Sequence, residues 1–146
     1  PLPVSSTASP PPAIELDMAQ LDQIIGAKGQ ANSGVYQFNV TRRDPITEKG
    51  MQLSPVGPMG VAISINFQPT GNGKAAITGD FVLTSDEVNP VITALRTHGI
   101  DVTAIHSHML NEQPRLFFLH FWANDDAIKL ANGLRAALDK TASTKS

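Results

Sequence analysis

The sequence contains no cysteine among its 146 residues, which excludes disulfide scaffolds, thiolate metal sites and cysteine nucleophiles. It also lacks any run of about 18 apolar residues, so no transmembrane helix is expected. Charge is scarce: charged residues make up 16% of the chain, and the formal net charge is -2. Such a chain lacks the basic surface by which proteins bind nucleic acid or an anionic membrane.

The remaining composition, with 41% hydrophobic residues, is typical of one globular domain able to bury a core. Residues 1–12 are rich in Pro, Ser, Thr and Ala, so a disordered leader is expected over residues 1–15. A single domain is predicted over residues 16–140, and the polar residues 141–146 are expected to fray. The leader and the missing initiator methionine are typical of an exported protein after signal-peptide removal, with a trimmed cytoplasmic protein as the alternative.

Hydrophobic periodicity predicts an α+β domain with a mainly antiparallel sheet of about five strands and helices packed on it. The predicted order is helix, three strands, helix, two strands, helix, which uses a β-β-α unit twice. Helices are expected after N-caps at Asp17, Thr84 and Asn124, and Thr84 forms a capping box with Glu87. Pro90 predicts either a kink in the second helix or a fresh start there.

Three of the four histidines lie between residues 100 and 124. Residues 100–109 and 115–122 read as two strands of a β-hairpin, because both are rich in β-branched or aromatic residues. Side chains alternate across a strand, so His106 and His108 share one face.

The register of this hairpin decides where the third histidine lies. Pairing Asn111 with Arg115 places His106 opposite His120, at a Cβ separation of roughly 4.5–5.5 Å. A slip of one residue would move His120 to the other face.

Imidazole is a common ligand for zinc and copper, and three histidines with an open fourth position are typical of a catalytic or exchangeable site. We therefore predict an exported metal-binding domain that uses His106, His108 and His120 to hold a divalent transition metal, zinc or copper. It would serve as a carrier, a sensor or a metal-dependent enzyme. Glu112 as a fourth ligand or general base, and Asp80 as a ligand or orienting carboxylate, are weaker expectations, because both are more often solvated.

Other interpretations stay open. The histidines could be structural, or they could form a metal-free module for a small molecule or a protein, together with Trp122, Phe118 and Leu116. Core packing is the simpler explanation for those aromatic residues. A metal-free hydrolase lacks an evident nucleophile, since Ser107 faces away from the histidines.

The densest charge cluster of the first half is Arg42, Arg43 and Asp44. An anion clamp is one interpretation. A solvated strand end with a local ion pair is favoured.

The chain also resembles the LppY/LpqO lipoprotein family over roughly residues 20–140. The family pattern comprises a Gly-Asp-Phe strand, an Asp-Glu-Val-Asn-Pro helix start, a His-x-His-Met-Leu strand end, Glu-x-Pro-Arg and a later histidine. The matching positions are Gly79, Asp80, Phe81, Asp86, Glu87, Val88, Asn89, Pro90, His106, His108, Glu112, Pro114, Arg115 and His120.

The resemblance implies an exported, periplasmic or extracellular protein, lipid-anchored before processing, and it implies no established reaction. Some family members carry the domain twice. A homodimer is therefore expected of this single copy if the site is built between two domains.

Overall fold

The computed structural model describes residues 13–55 and 59–144. Residues 1–12 of the expected leader, residues 56–58 and residues 145–146 lie outside the described residues. Within the described ranges the chain forms three helices, which are α1 (Met18–Ile25), α2 (Ser85–Thr97) and α3 (Ala127–Leu138). None of them combines the length and the apolar character needed to span a lipid bilayer.

Over residues 13–55 and 59–144, nine strands form two antiparallel sheets. The strands are β1 (Gln30–Asn32), β2 (Val35–Val40), β3 (Thr47–Glu48), β4 (Met51–Gln52), β5 (Ile63–Gly71), β6 (Lys74–Leu83), β7 (Asp101–His106), β8 (Glu112–Gln113) and β9 (Phe117–Asp126). The main sheet has six strands in the order β1-β2-β5-β6-β9-β7, and a small sheet has the order β4-β3-β8. The predicted α+β class is confirmed. The small sheet was not predicted.

One face of the main sheet carries the core. Phe38, Ile65 and Phe121 lie in one row across β2, β5 and β9, and each is at most 1% exposed. The interleaved row of Gln37, Asn66, Thr78, Trp122 and their neighbours points to the opposite side, because side chains alternate across a strand. That second side is polar and solvent-facing, and we call it the open face.

Helix α1 begins where the sequence indicates. The Asp17 side chain accepts a hydrogen bond from the backbone N–H of Gln20 at 3.1 Å. The Tyr36 hydroxyl donates to Oδ1 of Asp22 at 2.6 Å, which ties the helix to β2. Burial, together with this bond to a carboxylate, raises the pKa of Tyr36 to about 12.

The capping box of α2 is confirmed for Thr84 and Glu87, and the helix continues through Pro90 without restarting. The predicted start of α3 at Asn124 is wrong. Strand β9 extends to Asp126, which is the N-cap, and the helix begins at Ala127. The longer strand arises because β9 pairs with β6 along its whole length, which periodicity within β9 alone does not reveal.

Arg42 is not on a solvated strand end, so that interpretation is wrong for this residue. The predicted ion pair with Asp44 exists at 3.0 Å, but the Arg42 side chain is only 2% exposed. Its Nη1 donates to Oε1 of Glu87 at 2.6 Å and to the carbonyl of Val82 at 2.9 Å. This network joins β2 and β6 to the start of α2.

Residues 141–144, which the sequence assigns to a fraying tail, make hydrogen bonds to the domain. The backbone N–H of Ala142 donates to Oε2 of Glu87 at 2.7 Å. The backbone N–H of Thr144 donates to the carbonyl of Thr41 at 2.8 Å, and Ser143 is only 6% exposed. The chain after α3 therefore lies against the end of β2.

Candidate functional site

Strands β7 and β9 pair as expected, but in a different register. His106 lies opposite Phe118, and Ala104 lies opposite His120, so the predicted pairing of His106 with His120 is wrong by two residues. An even shift keeps His106 and His120 on the same face, which is the open face. His108 lies beyond the end of β7, in the connection to β9, so the strand predicted over residues 100–109 is too long and alternation does not place this side chain.

The register differs because the connection is longer than predicted. Ten residues, 107–116, separate the strands, and Glu112 and Gln113 within them pair with β3 instead of closing a short hairpin. An irregularity between Val102 and Ala104 further changes the pairing within β7. Neither feature leaves a signal in the periodicity of β7 or β9.

His106 and His120 are diagonal neighbours whose rings meet. Their Nε2 atoms lie 2.7 Å apart, and their ring centroids lie 4.8 Å apart with 46° between the planes. His106 is exposed, and the His120 side chain is 37% exposed. The two facing nitrogens are thus open to solvent and to a small ion.

Asp80 completes one side of the cluster. It lies opposite His120 in the pairing of β6 with β9, and its Oδ1 contacts Nδ1 of His120. A carboxylate at Nδ1 favours the tautomer with hydrogen on that nitrogen, which leaves a lone pair on Nε2. The Asp80 side chain therefore orients His120, as one of the two sequence interpretations for this residue proposed.

Gly79 allows Asp80 to occupy this position. A Cβ atom at Gly79 would lie 1.9 Å from the carbonyl oxygen of Ser64 on β5, which no side chain tolerates. This close approach of a second backbone accounts for a glycine inside the strand. Only glycine lets β5 and β6 pair this closely beside Asp80.

His108 joins the cluster by stacking. Its ring lies 4.8 Å from that of His106 at 21°, and 3.5 Å from that of Phe118 at 10°. Phe118 is 1% exposed and forms the apolar floor beneath both imidazoles. Partial burial lowers the pKa of His108 below its ordinary value, and the positive charge that His106 can carry lowers it further. The neutral form, which binds metals, is thereby favoured.

As placed, the side chains form a hydrogen-bonded and stacked cluster. No set of three or more His, Asp or Glu residues in the described parts of the chain has the geometry of a metal site. Two nitrogen ligands of a tetrahedral zinc ion, each about 2.0–2.1 Å from the metal, lie about 3.3 Å apart. The 2.7 Å separation of the Nε2 atoms must therefore widen slightly to admit an ion.

Glu112 serves the loop that carries His108. The favoured expectation, a solvated carboxylate, is wrong, because the Glu112 side chain is 0% exposed. Both of its oxygens have partners in the loop, which argues against the weaker expectation of a fourth ligand or general base. Oε1 accepts from the backbone N–H of Leu116 at 3.0 Å, and Oε2 lies 3.4 Å from Nη1 of Arg115. Arg115 also donates to the carbonyls of Met109 and Leu110. These contacts hold residues 107–116 in shape.

The aromatic residues separate into two groups. Leu116 and Phe118, which the sequence groups with Trp122, are buried at 0% and 1% exposure. Trp122 is 47% exposed and lies one row from His120 on the open face. Ser107 donates to the carbonyl of Leu116 at 3.3 Å.

The geometry defines an α+β domain with a His-His-His-Asp cluster on the open face of its sheet. Residues 19–140 match the family described as Domain of Unknown Function (DUF1259), and the chain belongs to that family. Comparisons with curated proteins and with solved structures find no match.

Proposed function

We propose that the protein binds a divalent transition metal ion, zinc or copper, through His106, His108 and His120, with Asp80 orienting His120. The observation that carries the proposal is the approach of two Nε2 atoms to 2.7 Å while Asp80 occupies Nδ1 of His120. Ligating histidines commonly have a carboxylate at their second nitrogen in this way.

The two facing nitrogens can be joined either by a hydrogen or by a metal ion. With hydrogen on Nδ1, the Nε2 lone pair of His120 points at Nε2 of His106. A second lone pair there would repel it, so either Nε2 of His106 donates a hydrogen to His120 or a metal ion lies between the two nitrogens. Side chains that are at least one-third exposed can open by the few tenths of an ångström that an ion needs.

His108 supplies the third nitrogen. It sits beside His106 on the Phe118 ring, on the loop held by Arg115 and Glu112. Three imidazoles would leave a coordination position for water or for a bound molecule. Such an open site suits a carrier, a sensor or a metal-dependent enzyme, and the metal would act there by binding a further ligand.

The location proposed is export, to the periplasm or the cell exterior. The support is the sequence resemblance of residues 79–90 and 106–120 to the LppY/LpqO lipoproteins. These lipoproteins would form a subgroup of the family to which the chain belongs.

The test is metal analysis of protein purified without a histidine tag, before and after dialysis against Zn²⁺ or Cu²⁺. We expect close to one ion per chain, and a rise in melting temperature on adding metal. The His106→Ala/His108→Ala double variant should lose both. The matched control is His98→Ala, because His98 lies at the end of α2 and bonds the Ala94 carbonyl there.

Metal content near zero in the parent protein, with an unchanged melting temperature in both salts, contradicts the proposal. Equal loss of bound metal in the His98→Ala variant also contradicts it. That result would mean that any histidine of the chain contributes to binding, whether or not it belongs to the cluster.

A further inference from the structure

A second feature of the open face is a cavity of about 510 Å³ beside the histidine cluster. Strands β2, β5, β6 and β9 form its base, and Asn32 and Ser33 at the end of β1 close one side. Its volume lies within the range of about 300–1,000 Å³ typical of small-ligand sites. Nothing in the proposed metal chemistry uses these residues.

The lining of this cavity is polar but neutral. All nine described lining residues are uncharged, and four of them carry side-chain amides: Asn32, Gln37, Asn66 and Gln68. An amide offers both donors and an acceptor, which matches the mixed donor and acceptor character of hydroxyl groups. A charged ligand would find no opposite charge among these residues.

Trp122 supplies a flat apolar surface at the edge of this polar lining. Its side chain is 47% exposed although it is the largest on the open face. It pairs with Thr78 across β6 and β9, so hydroxyl and amide groups surround the indole. A flat aromatic ring beside amide groups binds molecules that have one apolar face and a polar rim.

We propose that this cavity binds a neutral, polyhydroxylated ligand, one or two sugar units of a glycan, stacked on Trp122 and hydrogen-bonded by the amides. A sugar ring meets both requirements, because its C–H groups form an apolar face and its hydroxyls project around it. The metal proposal is not needed for this binding, since the two sites share no residue.

The two sites are nevertheless adjacent. Thr78 and Trp122 form one row of the open face, and Asp80 and His120 form the next row. A glycan chain longer than the cavity would therefore extend toward the histidine cluster. Binding at the sugar site would then bring another part of the same glycan to the open coordination position of the proposed metal ion.

The experiment uses the fluorescence of Trp122, which is the sole tryptophan of the chain. The full-length protein is titrated in the presence of a chelator with maltotriose, cellotetraose and triacetylchitotriose. We expect a saturable change in tryptophan emission with at least one of these probes, at a dissociation constant between about 10 µM and 1 mM. The change should be the same in the His106→Ala/His108→Ala variant, which separates this proposal from the metal proposal.

Variants that keep the tryptophan test the amides. Gln37→Ala and Asn66→Ala should each weaken binding about tenfold, the effect of one hydrogen bond. Gln20→Ala is the matched control, because Gln20 is an exposed glutamine on α1. Trp122→Ala, followed by calorimetry, should abolish measurable binding and leave the melting temperature within a few degrees.

Three results would overturn the proposal. The first is no saturable change with any of the three oligosaccharides at about 10 mM, well above the expected range. The second is tighter binding of adenosine or of a sulfated disaccharide. The third is equal weakening in the Gln20→Ala control.

Discussion

Asp80 and His120 lie opposite each other on β6 and β9, and Oδ1 of Asp80 contacts Nδ1 of His120. The contact determines which nitrogen of His120 faces His106. The residues come from strands separated by α2 and β7, so the cluster exists only when the main sheet is assembled.

Replacing this carboxylate should weaken metal binding without unfolding the protein. We expect Asp80→Asn to lower zinc affinity by about 10–100-fold, because a neutral amide accepts more weakly from Nδ1–H than a carboxylate does and can instead donate to Nδ1, so it stabilises the required tautomer of His120 less. Calorimetric titration with Zn²⁺ measures the effect. The control is Asp86→Asn, an exposed aspartate on α2. Unchanged affinity in Asp80→Asn would remove Asp80 from the site.

The loop that carries His108 should depend on Glu112. Glu112→Ala leaves the N–H of Leu116 without its acceptor and Arg115 without its carboxylate. An unpaired buried donor costs about 1–3 kcal/mol, so the free energy of unfolding should fall by that amount. Urea denaturation measures it, with Gln113→Ala as the neighbouring exposed control. A midpoint equal to that of the parent protein would mean that the loop is held by other contacts.

Stability should depend on pH through Glu87. The pKa of Glu87 in the folded protein is lowered. Burial by itself would raise it, but the hydrogen bonds from Arg42 and from the backbone of Thr84 and Ala142 together have the larger effect. Its stabilising contribution is therefore complete above the unfolded pKa of about 4.5 and is lost as the pH falls through the folded value.

The corresponding variant is Glu87→Gln. Near neutral pH it should be less stable than the parent protein by about 2 kcal/mol, the value of hydrogen bonds to a charged group. Urea denaturation between pH about 6 and 3 should show this difference shrinking as the pH falls. A constant difference across that range, or the same loss in the exposed control Glu15→Gln, would contradict the assignment to this carboxylate.

Periodicity and turn chemistry predicted the α+β class, two of the three helix starts and the common face of His106 and His120. These features depend on residues close in sequence. Side-chain alternation keeps His106 and His120 on one face despite a register error of two residues. His108 lies beyond the end of β7 and reaches the cluster by stacking on His106 and Phe118.

The contacts that could not be predicted depend on strand order. Asp80 meets His120 because β6 pairs with β9, and Arg42 is buried because Glu87 of α2 lies over the end of β2. Glu112 looked like a turn carboxylate, but its segment pairs with β3, a two-residue strand too short to leave a periodic signal. In each case, pairing or hydrogen bonding between segments distant in the sequence determines the surroundings of the side chain.

The division of the sheet into a buried face and an open face has a consequence for engineering. Most residues of both proposed sites alternate along the strands with core residues, so a substitution on the open face would leave the packing beneath it intact. Exchanges at positions such as 37, 66 or 122 would therefore alter the proposed ligand contacts while the hydrophobic interior keeps its composition.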